Sequence, residues 1–165
     1  MFPSLRPILN KGGAGRYVSR AESVERLRPI AQRHLDLMYE YEGILSGMPD
    51  GLAKEKLEAM MPYLRTEVAK MSETILSLGG TPPNGVRRTP GGAARPAERA
   101  AARPAGDRVG ALLDAERDFG GALRDEVDVV HHQERTRAIL THNAEASDAR
   151  IDLLRDLGAE LQSGR

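Results

Sequence analysis

The chain has 165 residues, with 24 Lys+Arg against 24 Asp+Glu, no cysteine, no tryptophan, four Tyr and two Phe. That length suits one domain and leaves no room for a barrel enzyme or a two-domain dehydrogenase. The absence of cysteine excludes disulfides, thiolate metal sites and cysteine nucleophiles, and no apolar run approaches the roughly 18 residues of a membrane-spanning helix.

The formal net charge of zero is a sum of unlike parts. Residues 1–20 carry four bases and no acid, and residues 79–108 carry six Arg and two acids, so each stands at +4. Residues 21–78 stand at −3 and residues 109–165 at −5. The basic segments are also the irregular ones: residues 79–108 hold six of the 17 Gly and five of the 10 Pro, the composition of a linker. The organisation expected is a basic arm over residues 1–18 and a helical bundle over residues 19–165, with residues 79–108 as a crossover.

The first periodic segment opens with Ser19-Arg20-Ala21-Glu22, a capping box. Val24, Leu27, Ala31, His34, Met38, Tyr41, Leu45 and Met48 then follow at helical spacing, widened by Ile30, Leu37 and Ile44. Pro29 predicts a kink or the firm start of this helix. Met48-Pro49-Asp50-Gly51 supplies a turn, with Asp50 as the expected cap of the next helix. Leu57, Met61, Leu64, Val68, Met71, Ile75 and Leu78 alternate by four and three. Pro62 is expected to bend or split this second helix, and Gly79-Gly80 followed by Pro82-Pro83 to end it.

A third stripe runs through Val109, Leu112, Leu113, Glu116, Phe119, Leu123, Val127 and Val130. The polar run from His131 to Arg137 interrupts it and predicts a reversal, the alternative being one helix of about 50 residues. Leu140, Ala144, Ile151, Leu154, Leu157 and Leu161 trace a fourth stripe. No segment alternates as a strand would. Two antiparallel hairpins joined by a long Gly/Pro/Arg-rich crossover make an all-α four-helix bundle.

Leu35-Asp36-Leu37-Met38-Tyr39-Glu40-Tyr41-Glu42 in the first helix, Ile75-Leu76-Ser77-Leu78-Gly79-Gly80-Thr81-Pro82 closing the second, the acidic third helix around Glu116 and Ile151-Asp152-Leu153-Leu154-Arg155-Asp156-Leu157 in the fourth together resemble the ferritin-like superfamily, in particular its small bacterial branches. The resemblance covers about residues 20–160 and implies a ferritin-like crossover. Metal-binding members of that superfamily place one Glu on each of two helices and a Glu-x-x-His on each of the other two. Here Glu67 is followed at the third position by Lys70, and Glu145 by Asp148. The resemblance therefore implies a member without a standard di-iron site.

His34 and Glu116 fall on apolar stripes and read either as a remnant metal pair or as a hydrogen-bonded pair in the core. Glu40, Glu42, Glu67 and Glu73 read as a solvated helix face, Glu67 pairing with Lys70 on the surface. His131 and His132 fall in the reversal. Gly12-Gly13-Ala14-Gly15 lacks the strand and the Lys-Ser/Thr signature of a phosphate loop. Catalytic residues and a cofactor are not expected, and the linker's lack of aromatics disfavours nucleic acid.

The function expected is that of a non-enzymatic structural or adaptor subunit, cytoplasmic and peripheral to the membrane in one version of the reading. It would dock through Phe2, Leu5, Arg6, Ile8 and Leu9 of the arm and through Arg87, Arg88 and Arg95 of the crossover. The partners expected are other protein subunits, those of a membrane-associated complex or a second copy of the chain. The alternative is a ferritin-like metal-binding protein using His34, Glu42, Glu67 and Glu116 in a non-standard site. A third reading, with only the histidines behind it, is a pH- or stress-linked protein.

Overall fold

The computed structural model describes residues 17–84, 104–130 and 133–163. They form four helices: α1 (Arg20–Leu45), α2 (Leu52–Ser77), α3 (Ala105–Val129) and α4 (Glu134–Ser163). Among the described residues there is no strand and no helix long and apolar enough to cross a membrane. The arm residues Phe2, Leu5, Arg6, Ile8 and Leu9, the crossover residues Arg87, Arg88 and Arg95, and His131 and His132 lie outside the described residues.

Local chemistry sets the helix ends. Ser19 caps α1, its hydroxyl accepting the Glu22 amide at 3.1 Å. The expected cap of α2 is corrected: Gly51 holds the cap position with no side-chain bond, and Asp50 instead pairs with Lys54 at 2.7 Å. At the other end of α2, the Gly80 amide donates to the Ile75 carbonyl and the Gly79 amide to that of Leu76, both at 2.9 Å. This double closure places Gly79 at φ +85°, where a side chain would be strained. Neither proline interrupts its helix. Pro29 and Pro62 both face solvent, so water can take up the carbonyls that lose their helical partners. Pro62 therefore does not split α2.

The chain reverses between Val130 and Gln133, and Glu134 to Arg137 already belong to α4. The expected reversal is thus narrower than the polar run that marked it. The Gln133 side chain donates to the Val18 carbonyl at 3.1 Å and to the Ser23 hydroxyl at 2.6 Å, which ties this turn to the start of α1.

Four ion pairs between helices set their order. Glu42–Arg65 at 3.0 Å joins α1 to α2, and Arg26–Glu126 at 2.6 Å joins α1 to α3. Lys56–Glu160 at 3.1 Å joins α2 to α4, and Arg124 pairs with Asp148 between α3 and α4. Arg26–Glu126 and Lys56–Glu160 each join an early residue to a late one, and so do Val24 of α1 against Gly80 just past α2 and Val109 of α3 against Gly158 of α4, so all neighbouring helices are antiparallel. The diagonal pairs, α1 with α4 and α2 with α3, are consequently parallel. Gly80, just after α2, packs on Val24 at the start of α1, whereas Arg108 at the start of α3 donates to the Gly43 carbonyl near the end of α1. The end of α2 and the start of α3 therefore lie at opposite ends of a bundle about 39 Å long, from 26 residues at 1.5 Å each.

The core is continuous along this length, from Leu27, Ile75 and Leu123 to Leu57, Met61, Leu112 and Leu157, all less than 4% exposed. Its hydrocarbon is interrupted near the middle by charged side chains.

Candidate functional site

His34 on α1, Glu67 on α2, Glu116 on α3 and Arg150 on α4 meet inside the bundle, each at most 6% exposed. Each helix contributes one of them because each position falls on that helix's inward face. Arg150 lies three residues before Leu154's neighbour Leu153 and four before Leu154 itself, which is fully buried. Its Nη1 donates to Glu67 Oε2 at 2.6 Å, and its Nη2 stands 3.0 Å from Glu116 Oε1.

Glu116 is held by three side chains from two other helices. Tyr41 of α1 donates to its Oε2 at 2.8 Å, Ser147 of α4 donates to its Oε1 at 2.6 Å, and Arg150 supplies the charge. Gly120 permits the close approach of α3 to Ser147, since a Cβ there would come within 2.9 Å of the Ser147 hydroxyl. His34 lies against the Phe119 ring at a centroid distance of 4.7 Å, and its Nε2 is 3.7 Å from Glu67 Oε2, beyond hydrogen-bonding reach. Neither ring nitrogen of His34 has a hydrogen-bond partner among the described residues.

The electrostatics follow from this arrangement. Burial lowers the His34 pKa, and Arg150 adds to that effect against the opposing pull of Glu67 and Glu116. Burial alone would raise Glu67, but His34 and the Arg150 guanidinium beside it hold it below the ordinary carboxylate value. Burial pushes the Tyr41 hydroxyl well above its usual range, and the adjacent Glu116 carboxylate pushes it further. Tyr41 is therefore a hydrogen-bond donor and not a source of phenolate at neutral pH.

Of the four metal-ligand candidates, His34, Glu67 and Glu116 are brought together and Glu42 is not: it pairs with Arg65 on the bundle's outside. The surface pairing of Glu67 with Lys70 is corrected, because Glu67 turns inward to Arg150 while Lys70 is exposed. Glu40 and Glu73 are exposed, as read. His142 and Glu145 line a shallow depression on the outer face of α4 with Glu134 and Arg137.

Arg150, Tyr41 and Ser147 are the members of the cluster that the sequence reading passed over as polar participants. The donor set does not fit a metal pair. A guanidinium stands between the two carboxylates, and both oxygens of Glu116 already accept hydroxyl hydrogen bonds. Among the described residues, no group of three or more His, Asp or Glu is placed to hold a metal ion.

No family model, curated protein or solved structure matches the chain.

Proposed function

We propose that this chain is a non-enzymatic structural or adaptor subunit that docks on partner proteins through its basic arm and its basic crossover. The observation that carries the reading is where those segments join the bundle. Val18, at the end of the arm, is tied to Gln133, and Gly80, at the start of the crossover, packs on Val24. The arm and the crossover thus both join the bundle at the same end, and the crossover reaches its other end at Arg108; each segment stands at +4 beside an acidic body, a separation of charge that attracts an acidic partner. Glu67, Glu116, Arg150, Tyr41 and Ser147, by contrast, are buried and bonded to one another.

The reading extends to a cytoplasmic location beside a membrane-associated complex, and to a relationship with the ferritin-like superfamily. The parallel α2 and α3 on the diagonal support that relationship, since they call for a connection spanning the bundle. Deleting residues 1–16 is the test. Helical circular dichroism is expected to persist while co-purification of a partner is lost, and retained co-purification would refute docking by the arm.

The alternative metal-binding reading has the convergence of His34, Glu67 and Glu116 behind it and Arg150 against it. Metal analysis of protein purified without chelator separates the two: substoichiometric metal is expected, and one or two ions per chain would restore the alternative.

A further inference from the structure

Among the described residues, four large hydrophobic side chains stand exposed, and three of them belong to α2: Leu52 at 62%, Tyr63 at 73% and Leu76 at 58%. They point away from the core that Leu57, Leu64 and Met71 of the same helix enter. A helix keeps one face at alternating steps of three and four residues. From Leu52 those steps reach Glu55, Ala59 and Pro62. Past the middle of the helix they continue through Thr66, Ala69, Glu73 and Leu76, and every residue of this outward stripe is exposed.

The stripe reads nearly alike from both ends. Leu52 answers Leu76, Glu55 answers Glu73, Ala59 answers Ala69 and Pro62 answers Thr66, each pair equally far from Leu64. That is the pattern a twofold axis requires, because there residue i meets residue j of the other copy and j meets i. Turned about an axis level with Leu64, a second α2 runs antiparallel and lays its stripe on the first. Leucine then meets leucine at both ends, and alanine meets alanine between them, so the two helices can approach closely. The two Tyr63 rings come together on one flank of the axis. Glu55 faces Glu73 of the second copy, a like-charged pair. The exposed Lys70 of that copy stands about 4.5 Å nearer the axis, three residues along, and offsets the repulsion.

We propose that two copies of this chain pair through the outward faces of α2, antiparallel, about a twofold axis level with Leu64. One helix against one helix is at the small end of specific interfaces, so the dimer is reversible. Neither the arm nor the crossover takes part, and the pairing stands apart from the docking role.

The chain has no cysteine, so introduced thiols report the pairing without interference. Leu52→Cys and Leu76→Cys are made separately in the full chain, where the two positions lie about 36 Å apart along α2. Mixed and mildly oxidised, the two variants are expected to form a disulfide-linked dimer, while either alone stays unlinked. Absence of the mixed product overturns the proposal, and so does self-linkage of either variant to the same extent. Sedimentation of the native chain from micromolar to millimolar concentration should show reversible doubling of its 18.0 kDa mass. Ala69→Arg puts a long charged side chain into the seam and should weaken the association by about tenfold or more, with helical circular dichroism unchanged. Glu73→Lys alone should tighten it by placing opposite charges face to face, and adding Glu55→Lys should remove that gain. A dimer indifferent to Ala69→Arg overturns the proposal. A monomer at every concentration does the same, and would leave this face to residues 85–103 or to another protein.

Discussion

Near the end of the bundle where α1 and α4 finish, Ile44, Met48, Leu57, Met61, Leu112 and Leu157 close the core with hydrocarbon. At its centre, His34, Glu67, Glu116 and Arg150 meet with Tyr41 and Ser147 around them. Apolar contact is non-directional and roughly proportional to area, so the hydrocarbon end stabilises the bundle without demanding one alignment of its helices. The central contacts are directional and link all four helices. A shift of one turn along any helix would leave a carboxylate or a guanidinium buried without its partner, which is far costlier than a repacked leucine. The hydrocarbon drives association, and the charged centre selects the register.

That contrast can be broken most forcefully at Arg150. Arg150→Ala strands two buried carboxylates and should cost about 3–5 kcal/mol in urea denaturation. Replacing the charged residues together, as Arg150→Met with Glu67→Met and Glu116→Leu, should recover most of that loss. Recovery would show that the centre contributes alignment more than net stability. At the hydrocarbon end, Leu57→Ala should cost about 2–5 kcal/mol, and there no companion substitution of polar groups is needed to explain it.

The pH dependence sharpens the same comparison. The folded His34 pKa lies below the ordinary histidine value of 6.5, so the unfolded chain binds more protons than the folded one across that window. Stability should therefore fall as pH drops below 6.5, by at most about 1.4 kcal/mol per pH unit until the folded pKa is reached. Glu67 acts in the same direction at lower pH: its folded pKa is depressed from 4.5, and the stability it contributes is lost as pH falls through that lower range. His34→Leu should flatten the first decline and leave the second, as read from urea midpoints at pH 7, 6 and 5. The hydrocarbon end contributes no such dependence.

Smaller effects are expected away from both regions. Gly79→Ala, at φ +85°, should cost about 1 kcal/mol by straining the end of α2. Lys56→Ala removes an exposed pair with Glu160 and should change stability by about 0–1 kcal/mol, less in high salt. A loss of several kcal/mol there would mean that the surface pairs share in the alignment now assigned to the centre.

The four helices were legible because hydrocarbon recurs at helical spacing in all of them, and His34 and Glu116 stood out as polar residues on apolar stripes. Glu67 was harder. Leu64, Glu67 and Met71 keep the same three-and-four spacing as Leu64, Val68 and Met71 taken in the other order, and an apolar scan prefers Val68, which is only half-buried. Arg150 was hidden for a related reason. The inward face of α4 reads Leu140, Asn143, Ser147, Arg150, Leu154 and Leu157, alternating three and four throughout. Three consecutive members are polar, so a search for hydrocarbon breaks off at Ala144 and resumes with Ile151, which is half-buried. Scanning by phase instead of by hydrophobicity would have found both Ser147 and Arg150. Glu42 was proposed as an interior ligand, but its partner Arg65 lies on a different helix, and no local pattern marks a pair that only helix packing creates.

The antiparallel order of neighbouring helices also has a mechanical consequence. Val18 sits at one end of the bundle with Gln133, while Glu160 sits at the other end with Lys56. Tension between Tyr17 and Ser163 would therefore act along the helix axes, drawing α1 and α4 in opposite directions past α2 and α3. Such a load shears the interfaces together instead of unzipping them one contact at a time. Under tension the bundle is a strut, and the charged bolt at its centre would be loaded from all four sides at once.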